Sequence, residues 1–351
     1  MFQMDRSKPV LVTGASGYVA GWLVKRLLDE GLTVHAAVRY PQKKDKIRPL
    51  QEAAAGSPGK LMFFAADLLL EGSYDAAMAD CELVYHTASP FTLKVKDRQR
   101  DLIEPALQGT RNVLASVNRT PSVKRVVLTS SVAAVFGDGA DILDYPGQIA
   151  SEENWNTSSK PDYQAYSYSK TVAESEAWKI NGQQQRWDLV VINPSMVIGP
   201  GLSAHITSES FNLVRQLGDG RMKMGVPDFT VGVVDVRDLA EAHFQAGFRP
   251  QAHGRHIVSA SQVTFLELGR MLHEKYGEAY PFPKKTVPKF LVWLVAPFMG
   301  FERRMISRNV GYPWKINNRK GIEALGLHYR PVQESIVDFF QQMIDNGYVK
   351  G

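Results

Sequence analysis

Tyr166 and Lys170 stand four positions apart in Tyr166-Ser167-Tyr168-Ser169-Lys170. On a helix, side chains at that spacing share a face. A free tyrosine titrates near ~10 and a free lysine near ~10.4. A neighbouring ammonium favours the phenolate and so lowers the tyrosine pKa. Such a tyrosine can hand its proton to a carbonyl oxygen as hydride reaches the carbonyl carbon. Tyr163 and Tyr168 lack a lysine at the same offset, so the register is unambiguous. Upstream, Leu128-Thr129-Ser130-Ser131 closes an apolar run, where a hydroxyl can hold the same carbonyl oxygen. Taken alone, either serine reads equally well as a turn residue or helix cap.

Chemistry of this kind needs a hydride donor, and the N-terminal segment offers a place for one. Val10-Leu11-Val12-Thr13-Gly14-Ala15-Ser16-Gly17-Tyr18-Val19-Ala20-Gly21 reads as a strand, a glycine turn and the start of a helix. Glycines let the backbone approach a pyrophosphate, and the helix N-terminus offers free N–H groups and partial positive charge. The spacing is Gly-x-x-Gly-x-x-Ala, with Ala20 where only a small packing residue is required. A purely structural turn is the competing reading. The next strand ends Ala36-Ala37-Val38-Arg39-Tyr40-Pro41-Gln42-Lys43-Lys44, with no carboxylate at its end. A basic residue there suits the 2′-phosphate of NADP, whereas an acidic one would hold the 2′-OH of NAD. Arg39 has the planar fork that matches a phosphate. The expected cofactor is therefore NADPH, with Lys43 or Lys44 as a second contact. Asp67 ends a third strand, where it can meet the adenine or cap a helix, with Leu68 beside it.

The elements that must position these groups alternate. Apolar runs at Val10–Val12, Thr33–Val38, Leu61–Ala65, Leu83–His86, Arg125–Thr129 and Asp188–Ile192 predict strands. Helical spacing at Tyr18–Leu28, Gly109–Asn118 and Tyr166–Ile180 falls between them. Alternation of this kind implies crossover connections and an α/β fold with a parallel sheet covered on both faces. Strands such as Leu189-Val190-Val191-Ile192, apolar throughout, fit burial on both faces. After Pro194, proline and glycine punctuate more often, as in Gly199-Pro200-Gly201. The expected division is residues 1–195, mainly nucleotide binding and carrying the catalytic groups, and 196–351, mainly a smaller lobe with segments returning to the sheet.

Composition narrows the function classes. The 351 residues are 44% hydrophobic and 22% charged, ordinary globular usage that excludes a disordered or low-complexity chain. Cys81 is the single cysteine, which excludes an internal disulfide and a cysteine metal cluster and fits a reducing, cytoplasmic setting. His205, His243, His253, His256 and His328 are too dispersed to suggest a metal site. The net charge of +5 is scattered, without the coherent basic stripe that a nucleic-acid partner requires. No secretory signal is expected from the first residues. The greasiest stretch, 290–301, is interrupted by Pro297 and Gly300 and is shorter than the roughly 18 apolar residues of a spanning helix. It reads as a buried or pocket-lining helix, with a membrane-touching helix as the alternative.

In this order, the glycine loop, basic strand end, strand-end serine and Tyr-x-x-x-Lys pair resemble the extended short-chain dehydrogenase/reductases. Further motifs carry the likeness: Tyr85-His86-Thr87-Ala88-Ser89-Pro90, Asn193-Pro194 with Gly199-Pro200, and Asp235-Val236-Arg237-Asp238-Leu239-Ala240-Glu241-Ala242-His243. The chain is most similar to the branch of dihydroflavonol reductases, cinnamoyl-CoA reductases and methylglyoxal or carbonyl reductases. The resemblance implies a Rossmann-type doubly wound sheet with a C-terminal substrate-binding lobe. It implies catalytic Ser131, Tyr166 and Lys170, with Lys170 also binding the nicotinamide ribose. Gly14, Ser16, Gly17, Tyr18 and Val19 would cradle the pyrophosphate, Thr87-Ala88-Ser89 would pass the pyrophosphate and ribose, and Pro194 to Val197 would flank the nicotinamide. The Asp235–His243 segment would be mostly structural.

Two departures bear on the substrate. Phe136 stands where dihydroflavonol reductases carry a polar residue, and Gln164-Ala165-Tyr166-Ser167-Tyr168 replaces the Asn-Trp-Tyr-Cys signature of cinnamoyl-CoA reductases. The expectation is an NADPH-dependent reductase of a small aldehyde or ketone, with an apolar pocket drawing on Phe91 and Phe136, acting as a monomer or homodimer without a metal. The alternatives are a nucleotide-sugar epimerase or dehydratase holding NAD, a hydroxysteroid dehydrogenase, and a non-catalytic dinucleotide sensor.

Overall fold

The structure is a computed structural model that describes residues 3–89, 95–203 and 208–350. Its centre is a seven-stranded parallel sheet. The strands are β1 (Val10–Thr13), β2 (Thr33–Val38), β3 (Lys60–Ala65), β4 (Leu83–His86), β5 (Arg125–Thr129) and β6 (Asp188–Pro194). After β7 (Met196–Ile198) and β8 (Thr230–Asp235), β9 (Gly254–Val258) returns to complete it. The strand order is β9-β6-β5-β4-β1-β2-β3. The chain reverses direction of travel between β1 and β4, and ligands of such sheets bind at that switch point, beyond the carboxyl ends of the strands.

Strand burial follows position. In β5, Arg125 to Leu128 are all buried, and so are the last six residues of β6, as a strand covered on both faces requires. Edge strand β3 has no fully buried residue, and Met62 is 48% exposed.

The helices that cover the sheet are α1 (Tyr18–Asp29), α2 (Lys44–Ala55), α3 (Glu104–Arg119), α4 (Ala165–Asn181) and, after α5 (Glu209–Gly218) of the smaller lobe, α6 (Val236–Phe248). One face packs against α1 and α6 through Leu23, Leu27, Leu239 and Ala242; the other packs against α3 and α4 through Val113, Leu114 and Ala177. Each fully buried valine or leucine side chain contributes about 1.5–3 kcal/mol. Helix α3 begins five residues before the expected Gly109, after a π-helical turn at Gln99–Ile103. Gly109 lies mid-helix because Leu68 occupies the space a side chain would need: a Cβ there would sit 2.4 Å from Leu68 Cγ.

The smaller lobe is built on β8, which pairs in parallel with β7 and antiparallel with β10 (Ser261–Thr264). It adds α7 (Phe265–Tyr276), α8 (Lys289–Val295), α9 (Arg303–Asn309) and, after α10 (Arg319–Leu325), which packs back on β9 and α6 through Leu325, the helix α11 (Val332–Asp345). A cluster of Phe211, Leu268, Phe282, Phe339 and Phe340 forms its core.

The 290–301 stretch departs from the buried or pocket-lining helix expected of it. Val292 and Ala296 pack on Ile306 and Val310, but Phe290, Leu294, Phe298 and Met299 are exposed. No described helix is long and apolar enough to cross a membrane.

Candidate active site

The glycine loop sits at the carboxyl end of β1. Gly14 has φ +63, and a Cβ on it would lie 3.0 Å from the Ala88 Cα in the loop after β4. Glycine is needed there for both reasons: the left-handed backbone and the close approach of the two loops. Helix α1 starts at Gly17 without a side-chain cap and without an acidic residue in its first turn. Its first N–H groups and its positive dipole end therefore remain available to an anion. Ser16 beside them is exposed. These features fit the pyrophosphate of a dinucleotide.

The loop after β4 is latched to β1. Thr87 Oγ1 donates to the Thr13 carbonyl, and the Ala88 N–H donates to Thr13 Oγ1 at 3.0 Å. Thr13 Oγ1 also lies 3.1 Å from His86 Nδ1. Burial pushes the His86 imidazole down to about 3, with the Lys170 charge adding to the effect, so the ring is neutral. Ser89 accepts a hydrogen bond from Lys170 Nζ at 3.0 Å.

Arg39 follows β2 and is largely exposed, with Nε 3.5 Å from Asp67 Oδ2. Asp67 Oδ1 accepts from the Leu69 N–H at 2.9 Å, closing a turn rather than capping a helix. Leu68 is buried against α3, and its carbonyl accepts from Asn112 Nδ2 at 3.0 Å. Lys43 precedes α2 with its ammonium 4.5 Å from the Tyr40 ring centroid.

Ser131 leaves β5 in extended backbone and opens a 3-10 turn, Val132–Ala134, where its Oγ accepts from the Ala133 N–H at 3.1 Å. Tyr166 lies in the first turn of α4 and is 53% exposed. Lys170 Nζ is 5.8 Å from the Tyr166 ring centroid while it reaches Ser89. Among the expected residues, the structure thus brings together Tyr166, Lys170 and Ser89, with Gly14 against Ala88 and Arg39 beside Asp67.

Other expected residues serve different neighbours. The Tyr18 hydroxyl donates to the Gly199 carbonyl and its ring stacks on Phe339, so its side chain joins α1 to the smaller lobe. Burial holds that hydroxyl well above the ordinary tyrosine range. Val19 and Val197 pack on the main core, and Pro194 ends β6 opposite Val258. Phe136 is 8% exposed in a small core with Val135, Ile142 and Ile316, 5.0 Å from Trp314 ring to ring. Phe91 lies outside the described residues.

Two buried acids support the site, and the sequence reading did not single them out. Glu174 follows Lys170 by one more helical turn. Its carboxylate accepts from Ser130 Oγ at 2.5 Å, Asn193 Nδ2 at 2.8 Å and Arg255 Nε at 2.6 Å. The continued spacing Tyr-x-x-x-Lys-x-x-x-Glu was the available signal. Asp138 accepts from the Tyr163 hydroxyl at 2.8 Å, from Gln164, from Asn309 Nδ2 at 2.7 Å and from Arg308 Nε at 2.7 Å. Gln164 holds a left-handed backbone, φ +53, immediately before α4. That conformation costs a non-glycine residue about 1–2 kcal/mol, and the Asp138 contact offsets it. Nothing in the local sequence around Tyr166 points to Asp138.

Residues 10–259 match the NAD-dependent epimerase/dehydratase family. The chain is 36% identical over 339 residues to a cinnamoyl-CoA reductase of Medicago truncatula, covering 95% of each chain. It is 33% identical over 355 residues to a tetraketide alpha-pyrone reductase of Arabidopsis thaliana, covering 99% of this chain and 98% of that one. The yeast methylglyoxal/isovaleraldehyde reductase Gre2, solved with NADPH, superposes with a TM-score of 0.78 at 28% identity, covering 97% of this chain and all of that one.

Proposed function

The chain belongs to the NAD-dependent epimerase/dehydratase family, in its extended short-chain reductase branch, and is an NADPH-dependent oxidoreductase of carbonyl and alcohol groups; from that premise we propose that it reduces an aldehyde or ketone with Tyr166 as the general acid. The observation that carries this reading is the placement of Lys170. Its ammonium holds Ser89 of the loop latched to the glycine turn, and it stands one helical turn from the exposed Tyr166.

The groups assigned to NADPH are the backbone of Gly14 to Val19, Arg39 with Lys43 for the 2′-phosphate, Asp67 and Leu68 toward the adenine, and Thr87 to Ser89, Lys170, Pro194 and Val197 along the rest. NADPH supplies the hydride. Ser131 donates a hydrogen bond to the substrate oxygen and fixes its direction. Tyr166 donates a hydrogen bond to the same oxygen and releases its proton to it as the alcohol forms; the tyrosinate then recovers a proton from solvent. Lys170, its ammonium 5.8 Å from the Tyr166 ring, would hold the nicotinamide ribose beside that oxygen. We assign residues 1–195 mainly to the nucleotide half and 196–351 mainly to the substrate lobe, with α6 and β9 packed back on the first half.

The test follows loss of reduced-nicotinamide absorbance with NADPH, and separately NADH, against aliphatic and aromatic aldehydes, α-ketoesters, dicarbonyls and a dihydroflavonol. NADPH-dependent consumption with one of these carbonyls is expected. Tyr166→Phe is expected to lower turnover by about 10²–10⁴-fold with NADPH binding near that of the wild type. Full turnover in that variant would overturn the assignment of the acid.

A further inference from the structure

The segment from Glu278 to Arg304 combines two properties that the nucleotide site does not use. The first is an exposed apolar face. Helix α8 and the 3-10 turn after it, Ala296–Met299, turn Val292 and Ala296 inward. On the other side, Phe290 with Leu294 and Leu291 with Val295 form two i, i+4 pairs, all four exposed. Phe298 is 91% exposed, Phe290 69% and Met299 65%. Isolated exposed apolar residues are ordinary, but a contiguous set of this kind marks an interaction surface.

The second property is charge. Lys284, Lys285, Lys289, Arg303 and Arg304 fall in this segment, against Glu278 and Glu302. That is a net of +3 within a chain whose total is +5, and Arg308 beyond it is taken up by Asp138 and Asp141. Lys284, Lys285, Lys289, Arg303 and Arg304 are all exposed. Lys284 is paired with Glu278 at 2.6 Å, while Arg303 stacks at 4.3 Å on the Trp293 ring at the edge of the apolar face.

We propose that this face docks on an anionic lipid bilayer, lying in its interface with the Phe290, Leu294 and Phe298 side chains inserted and the lysines and arginines among the headgroups. An apolar arc edged by cations is what such a surface recognises. The length excludes spanning, since α8 and its turn hold far fewer than roughly 18 apolar residues. Charge also argues against a second copy of the chain. A two-fold interface sets the same patch against itself, so the cations of one copy would face those of the other. This inference stands apart from the reading of the nucleotide site.

The experiment is co-sedimentation of the full chain with vesicles of phosphatidylcholine alone and of phosphatidylcholine mixed with phosphatidylserine. At low salt, binding to the mixed vesicles is expected to exceed binding to the neutral ones by at least about tenfold, and to fall as salt is raised. The pair Phe290→Ser with Phe298→Ser, and the pair Lys285→Glu with Arg303→Glu, should each abolish it. All four residues are exposed, so thermal midpoint and NADPH binding should stay those of the wild type. Equal binding to both vesicle types, or none to either, would overturn the proposal. So would sedimentation of a dimer that Phe298→Ser dissociates, which would give the face to a second copy.

Discussion

Asn193 donates from Nδ2 to the Glu174 carboxylate at 2.8 Å and to the Ser131 carbonyl at 3.1 Å. One amide thus connects the helix that carries Tyr166 and Lys170 to the strand end that carries Ser131. Glu174 is fully buried and its charge is met by Arg255, itself 7% exposed in its side chain. Glu174→Gln would leave that guanidinium without its counter-charge, which typically costs about 3–5 kcal/mol. The expected result is a lower denaturation midpoint together with a reduced kcat, while the NADPH Kd changes little. A wild-type midpoint would show that Arg255 does not depend on Glu174.

Gly14 tests the cradle. Gly14→Ala places a Cβ 3.0 Å from the Ala88 Cα on a left-handed backbone, a conformation costing about 1–2 kcal/mol for a non-glycine residue. The two loops must then separate. Isothermal titration should show NADPH affinity falling by more than the stability loss accounts for. An unchanged Kd would remove this loop from the nucleotide site.

Arg39 tests cofactor choice. Its guanidinium rests 3.5 Å from Asp67 and is exposed, so it has free donors for a phosphate. Arg39→Asp should weaken NADPH binding by about ten- to a hundredfold, the worth of one or two charge-assisted hydrogen bonds, and leave NADH nearly unaffected. Equal loss for both cofactors would contradict a 2′-phosphate contact.

Three buried histidines set an acid limit on stability. Burial, the leading cause in each, holds His86 at about 3, His243 at about 4 and His256 at about 3. In the unfolded chain each titrates near ~6.5. Above that value all three are neutral in both states and the fold keeps its full stability. As pH falls below it, the unfolded chain takes up protons that the fold refuses, so stability declines down to the folded values. The combined loss is on the order of several kcal/mol. Thermal midpoints should therefore drop steadily between about pH 7 and about pH 4.5. A midpoint flat across that range would contradict the neutral burial of these rings.

Much of the frame was legible from local pattern. Five of the six predicted strands stand within one residue of their expected bounds and Asp188–Pro194 runs two further; the central ones are legible because a strand buried on both faces is apolar throughout. Helices α1 and α4 were equally plain from their spacing. Gly109 misled because its smallness serves Leu68, a neighbour 41 positions away, rather than a helix start.

The sequence by itself determined the parallel α/β frame, the glycine turn at its first switch and the shared face of Tyr166 and Lys170, since each follows from the chain's own periodicity. Only the tertiary structure decided which groups surround them. Glu174 meets Arg255 from 81 positions away, and Asp138 meets Arg308 from 170. Tyr18 turns from the glycine loop to Gly199, and the apolar run at 290–301 stays uncovered on one side. Burial and charge pairing are properties of neighbours in space, and no local spacing encodes which distant residue arrives.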